Sequence, residues 1–340
     1  MSKKKSILLI YTGGTIGMVQ DTQSGSLRPF DFTHLTQQIP ELTRFDLAFS
    51  SHSFAQPMDS SNMTPEVWIK LAQIIEEQYD RHDGFVILHG SDTMAYTASA
   101  LSFLLENLAK PVILTGSQLP IGIIRTDARE NLITAIEIAS SETPLVPEVC
   151  IYFEYHLYRG NRTSKINAEE FAAFHSFNHP PLASAGVHLK FHEGQIAKWN
   201  GKPLQVHRAL DPSVAILKIF PGIQPQVVDA MLSIPGLKGL ILETYGAGNA
   251  PTDAWLSEKL EAANKRGLVL LNITQCLGGS VEQGRYETSV QLEKAGVISG
   301  KDMTTEAAIA KLMFLLAQQH DTVEIKRLLT VPLCGEMHGE

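Results

Sequence analysis

A chain of 340 residues that is 44% hydrophobic and 19% charged can bury one large core or two medium ones, and that balance excludes long disorder. Its formal net charge of −8 argues against nucleic acid as a partner, because phosphate contacts need clustered Lys and Arg. The basic run Lys3-Lys4-Lys5 leads into an apolar stretch, Ile7 to Ile10, too short for a secretory leader, and nothing approaches the roughly 20 apolar residues of a membrane helix.

In chain order, Ser6–Tyr11 reads as a first strand. Thr64 is placed to cap a helix with Pro65 at its first position, and Val67, Trp68, Leu71, Ile74, Ile75 and Tyr79 recur at helical spacing to form one apolar face. Phe85–Leu88 reads as a buried strand, Met94–Leu108 as an apolar helix, Pro111–Leu114 as a strand and Asp127–Ser140 as a helix with Leu132, Ile133 and Ile136 inward. Cys150–Phe153 is a further strand, followed by a polar, aromatic and histidine-bearing stretch from about Tyr155 to Pro181. Val187–Phe191 and Gln195–Trp199 are predicted to form a hairpin around Glu193-Gly194.

Past a candidate linker, Gly201–Pro212, the alternation resumes: strand Val214–Ile219, helix Pro225–Leu232, strand Gly239–Leu242, helix Asp253–Arg266 and strand Leu268–Asn272. Amphipathic helices at Thr305–Gln318 and Thr322–Leu329 follow. This alternation predicts an α/β protein: a larger N-terminal domain, residues 1–200, with a mainly parallel sheet flanked by helices, and a smaller α/β domain, residues 213–340. The three cysteines, Cys150, Cys276 and Cys334, lie far apart with no CxxC pair, which fits a reducing, cytoplasmic compartment.

Open parallel sheets bind ligands at the carboxyl ends of their strands. The loops after the first clear strands read Thr12-Gly13-Gly14-Thr15-Ile16-Gly17, His89-Gly90-Ser91-Asp92-Thr93 and Thr115-Gly116-Ser117-Gln118. They are rich in Gly and hydroxyls, so backbone can approach a ligand and present N–H groups to it. The glycines at 13, 14 and 17 miss the dinucleotide spacing by one position, and no G-K-[ST] follows, so neither nucleotide-phosphate loop fits. His175 with His179, and His188 with His192, stand at i, i+4, but the first pair runs into Pro180-Pro181 and the second lies in apparent strand; structural or surface roles suit both better than zinc. With no G-x-S-x-G elbow, a hydroxyl nucleophile must be activated without histidine. A lysine can do that when burial or a neighbour favours its neutral form, and Lys165 is available, with Asp92 beside Ser91 to orient it.

Taken together, Tyr11–Gly17 and Ile87–Met94 resemble the two active-site signatures of the bacterial asparaginase/glutaminase family, in its cytoplasmic type I branch. The similarity runs on through Met58–Met63, Arg159–Lys165, Tyr245–Pro251 and Asn272–Cys276, and so spans nearly the whole chain. The resemblance implies hydrolysis of L-asparagine to L-aspartate and ammonia, without metal or cofactor, by a homodimer or homotetramer. It assigns Thr15 as nucleophile, and Lys165, Asp92 and Ser91 as the second triad, with Ser91 where the family normally has threonine. It places Asp59, Ser60, Ser61, Gly90, Ser91, Asp92 and Ser117 around the substrate, and matches Asn249 to a residue that in relatives reaches a neighbouring subunit's site.

Two departures stand out. A lid Tyr usual in the family is replaced in the region of Gly25-Ser26-Leu27. A possible allosteric pocket is marked by Thr274, Gln275 and Cys276, but Glu243 stands where an Arg would meet a second asparagine, and its carboxylate would repel that ligand's own. Two other readings use the same resemblance. An amino-acid sensor without turnover is motivated by Ser91 and the missing Tyr. An amidotransferase subunit supplying ammonia for tRNA charging would need an extra N-terminal domain and a tRNA partner, for which an acidic chain beginning its first signature near residue 11 is ill suited.

Overall fold

A computed structural model describes residues 4–20, 27–29, 39–284 and 287–339, and its contacts separate into two compact units, 1–208 and 209–340. The first unit is built on an eight-stranded sheet. Its strands are β1 (Lys5–Gly13), β2 (Leu47–Met58), β3 (Gly84–Leu88), β4 (Val112–Thr115), β5 (Val149–Phe153), β6 (His156–Arg159), β7 (Ala183–Ala185) and β8 (Leu189–Phe191), in the order β8-β7-β6-β5-β4-β3-β1-β2. The five strands from β2 to β5 are parallel and the last three are added antiparallel, so the sheet is mainly parallel.

Strands of a parallel sheet are covered on both faces, and the sequence shows why here. Ile7, Leu9 and Tyr11 of β1, with Val86, Leu88, Ile113, Cys150 and Tyr152, join one buried cluster with Leu132, Ala135, Ile136 and Ala139 of helix α3 (Ala128–Ala139). The alternate residues Leu8, Ile10, Phe85 and Ile87 are buried as well. Helix α1 (Pro65–Gln78) begins at Thr64-Pro65 as its sequence demands and buries Trp68, Leu71, Ala72, Ile74 and Ile75; it packs on α2 (Met94–Leu104). Each fully buried Leu or Ile contributes about 1.5–3 kcal/mol.

Several expectations are corrected. Helix α2 stops at Leu104 rather than Leu108, because Leu105–Glu106 leaves it to pair antiparallel with Gln205–Val206 and Asn107 turns into the left-handed region at φ 61°. That ladder lies within the expected linker. The proposed hairpin around Glu193-Gly194 does not form: β8 pairs back with β7, Glu193–Gln195 is a short 3₁₀ turn, and Gln195–Trp199 contains no strand. Strand β2, twelve residues long, escaped the pattern reading altogether.

The second unit has a parallel sheet in the order β9 (Val214–Lys218), β10 (Gly239–Thr244), β11 (Val269–Thr274), β12 (Ile298–Ser299). Helices α4 (Pro225–Leu232), α5 (Ala254–Lys265), α6 (Glu287–Lys294), α7 (Thr305–Ala317) and α8 (Thr322–Leu329) accompany it. Its last segment is pinned by an ion pair with no solvent access on either side chain: Lys311 of α7 meets Glu336 at 2.7 Å. Lys311 Nζ also donates to the Val331 carbonyl (2.6 Å), and Glu336 accepts from the amides of Leu333 and Cys334. Among the described residues no helix is long and apolar enough to cross a membrane.

Candidate active site

The carboxyl ends of β1, β2, β3 and β4 converge, and two glycines set how closely. Gly14, at φ 86°, has no room for a side chain: a Cβ there would lie 2.5 Å from the Gly90 nitrogen and 2.6 Å from its Cα. A Cβ on Gly90 would in turn lie 2.5 Å from Ser60 Oγ. Loops after three strands are thus stacked at backbone contact, which only glycine permits. Hydrogen bonds hold the stack: Thr12 Oγ1 donates to the Leu88 carbonyl (3.0 Å), Thr93 Oγ1 to the Ser60 carbonyl (2.7 Å) and the His89 amide to the Thr115 carbonyl (3.0 Å).

Thr15 opens a short 3₁₀ turn, Thr15–Gly17, directly after Gly14. Tyr11, buried at the end of β1, closes this turn by donating to the Gly17 carbonyl (3.1 Å). Burial pushes the Tyr11 hydroxyl up to about 12, which keeps it a proton donor through the neutral range.

Ser91 and Asp92 follow Gly90 and precede α2. Lys165 comes from a two-residue strand, Ser164–Lys165, paired with Phe174–His175. Although 73 residues separate them, the Lys165 ammonium donates to Asp92 Oδ1 at 2.6 Å and to Ser91 Oγ at 2.9 Å. The lysine side chain is 16% exposed and the aspartate 65%, so a shielded amine meets a carboxylate that still faces solvent. A carboxylate with free lone pairs at the mouth of a loop cluster can receive an ammonium group of a ligand.

Asp59 spends one oxygen on its own turn, accepting from the Ser61 amide (2.9 Å) and hydroxyl (2.8 Å), and the bond from the Ser61 amide leads in holding its pKa below the usual carboxylate range. Ser60 is buried against Gly90, while Ser61 is exposed. Ser117 is buried in the β4 loop, its hydroxyl donating to the Leu119 carbonyl (2.7 Å), which leaves its backbone as the part free to line a pocket.

Residues the sequence reading passed over complete this edge. His89 has no solvent access, and burial lowers it to about 4, so it is neutral. A consistent donor chain then runs from Trp68 Nε1 to Thr97 Oγ1 (2.9 Å), from Thr97 to His89 Nε2 (2.9 Å) and from His89 Nδ1 to the Gly90 carbonyl (2.7 Å). Asp127 and Asn131, at the start of α3, bond the β4 loop. An Asp at a helix start reads as a cap, and nothing local in the sequence says that its partners lie eight or nine residues upstream.

The remaining expected residues lie in the second unit. Asn249 closes a turn by a paired bridge with Tyr245. Glu243 accepts from Thr305 Oγ1 (2.8 Å) and lies 3.4 Å from Lys218 Nζ. Gln275 Nε2 donates to the carbonyls of Ile219 and Glu243, and Thr274 Oγ1 accepts from the Cys276 amide. Gly25 and Ser26, from the expected lid, are outside the described residues, as is Lys3 of the basic run. The histidine pairs are apart in role: His175 packs at a tilt against Tyr158 and Phe177, His179 bonds the Pro180 carbonyl, and His192 meets Ser184.

Comparison with known proteins shows which family the chain and its fold resemble. Residues 6–197 match the family model "Asparaginase, N-terminal", and residues 213–329 match the "Glutaminase/Asparaginase C-terminal domain". L-asparaginase 1 of Escherichia coli (strain K12) is 46% identical over 339 residues, covering 98% of both chains. The solved L-asparaginase I of Vibrio cholerae O1 biovar eltor superposes with a TM-score of 0.91 at 41% identity, over 99% of this chain and 100% of that one. The thermostable L-asparaginase of Thermococcus kodakarensis does so with a TM-score of 0.91 at 32% identity, over 98% and 100%.

Proposed function

We propose, for a chain that belongs to the asparaginase family over both of its parts, that it hydrolyses L-asparagine to L-aspartate and ammonia in the cytoplasm. The observation that carries this reading is the contact of Lys165 with Ser91 and Asp92 at the same strand ends where Gly14, directly before Thr15, packs against Gly90.

Thr15 attacks the side-chain carbonyl carbon, the tetrahedral intermediate expels ammonia, and water hydrolyses the resulting acyl-threonine. Backbone N–H groups of the glycine-rich loops supply donors for the oxyanion. Ser91 and Lys165, in hydrogen-bond contact, relay the proton from the attacking hydroxyl to the departing amide nitrogen, while Asp92 orients Lys165 and receives the substrate's α-ammonium. Ser60 and the turn of Asp59-Ser60-Ser61 hold the α-carboxylate, and the Ser117 backbone lines the amide pocket. The side chains named need neither metal nor cofactor for these steps. Asn249 is assigned to a neighbouring copy's site in a homodimer or homotetramer. Glu243, already bonded by Thr305, disfavours a second carboxylate, so hydrolysis is hyperbolic in asparagine.

The test is ammonia release by the purified chain with L-asparagine, repeated with hydroxylamine, which diverts an acyl-enzyme to β-aspartyl hydroxamate. Ammonia with hydroxamate supports the scheme. Thermal stabilisation by asparagine with no ammonia would instead identify a binding protein.

A further inference from the structure

The β4 loop is a part of the site whose shape is imposed from outside it. Its backbone is gripped by the first turn of α3. Asp127 Oδ2 accepts from the Gln118 amide (2.9 Å) and Asp127 Oδ1 from the Leu119 amide (3.1 Å). Asn131 Nδ2 donates to the Gly116 carbonyl (3.0 Å) and lies 3.3 Å from Asp127 Oδ2, so one buried amide ties loop and carboxylate together. Thr126 Oγ1 donates to the Leu119 carbonyl (3.0 Å). Asp127 is 8% exposed and Asn131 has no exposure.

Asp127 stands at the N-cap of α3, yet its side chain caps no backbone amide of that helix; the Ala128 amide is taken by Thr126 instead. An aspartate there ordinarily satisfies the first helical amides. Here the positive end of the helix steadies the carboxylate while its lone pairs are spent on the loop. The grip extends further on both sides. Asn131 Oδ1 accepts from the Glu154 amide (3.1 Å), fixing a β5–β6 turn in which Glu154 and Tyr155 both have positive φ. Gln118 Nε2 donates to the Glu170 carbonyl (2.9 Å), just after the segment that carries Lys165.

We propose that Asp127 and Asn131 are positioning residues: they set the backbone of residues 116–119 at the place where Ser117 lines the pocket for the substrate's side-chain amide. The inference rests on the asparaginase reading. Groups that bind the substrate's α-ammonium and α-carboxylate belong to other loops, so loosening 116–119 disorders the reacting end while leaving the anchoring end held. A kcat effect without a KM effect is the signature, because interactions realised at the reacting centre act on the transition state.

The experiment uses the full chain with Asp127→Asn and Asn131→Ala. Asparagine kinetics are measured beside hydrogen exchange of peptides spanning residues 115–120, with thermal unfolding to verify the fold. The expected result is a fall in kcat of tenfold or more with KM within threefold, and at least tenfold faster exchange confined to 115–120. Folded variants with kcat within twofold of the parent, or with the loss in KM alone, overturn the proposal. Unchanged exchange at 115–120 also overturns it, and that readout stands even if the parent chain releases no ammonia, which would defeat the asparaginase reading itself. Gln118→Ala, which cuts only the link to Glu170, is expected to reduce kcat less than either clamp variant; an equal or larger loss would move the positioning role to that link.

Discussion

The two units present the same architectural feature, the carboxyl edge of a parallel sheet, and treat it in opposite ways. At the edge of the second unit the polar groups consume one another. Glu243 is bonded by Thr305, Gln275 by two backbone carbonyls, and Thr244 Oγ1 by Asn272. At the edge of the first unit, glycine contacts and backbone bonds do the holding, which leaves Asp92 largely exposed and Thr15 half-buried at the head of its turn. A strand-end location is therefore only a geometric opportunity. An edge is left available for chemistry where the fold is secured by other groups.

That contrast is broken most severely by removing the reactive groups themselves. Thr15→Ala should cut turnover by at least about three orders of magnitude while calorimetry still detects asparagine binding, since removing a nucleophile abolishes a step rather than an anchor. Residual turnover within tenfold of the parent would dismiss Thr15. Lys165→Met should cost about 10²–10⁴ in kcat, the range of general acid–base catalysis. Next in size is Gly90→Ala. Its Cβ meets Ser60 Oγ at 2.5 Å and Ser60 Cβ at 2.8 Å, so the stacked loops must part, and more than a tenfold loss of kcat/KM is expected alongside a lowered Tm. Parent-like kinetics would show that the stack is not needed.

The pH dependence of stability sharpens the comparison further. His89 is held neutral by burial, its pKa lowered to about 4 from the ordinary histidine value of 6.5. Below 6.5 the unfolded chain takes up a proton that the folded chain refuses until about pH 4, so stability falls as the pH drops through that window. The full cost is about 3 kcal/mol. His89→Gln, which cannot be protonated, should flatten denaturant midpoints between pH 4 and 6.5; an unchanged slope would place the acid sensitivity elsewhere. Smallest of all, Glu243→Gln should alter kcat with asparagine by less than twofold, and sigmoidal kinetics in the parent would refute the assignment of this edge as inert.

Much of the scaffold was legible because its signals are local. Pro65 starts α1 at its first position with Thr64 in the N-cap place, though the Thr64 side chain makes no capping bond, and α4 and α8 run over Pro225–Leu232 and Thr322–Leu329 as their periodicity indicates. What failed was non-local. Leu105–Glu106 leaves a helical pattern for a partner a hundred positions away, and β8 prefers β7 to the segment just downstream. β2 contains Pro57 and only Phe54 among its residues is buried, so it lacks the apolar run that reveals an inner strand. The site divides likewise. Gly-rich loops announced themselves, whereas the pairing of Lys165 with Asp92 came from the chemistry a hydroxyl nucleophile needs and from family resemblance, since two positions 73 apart carry no spacing signal. Asp127 and Asn131 gave no sign at all, because their partners are backbone groups that any residues would supply.

The ion pair between Lys311 and Glu336 has a consequence for how the polypeptide is made. With both side chains fully enclosed, neither charge tolerates losing the other, and removing one partner of such a pair typically costs about 3–5 kcal/mol. During synthesis α7 emerges with an ammonium that has no counter-charge until residue 336 has been added. The second unit therefore closes only once the segment carrying Glu336 is available to α7, and a nascent chain halted before residue 336 would leave that unit unfinished.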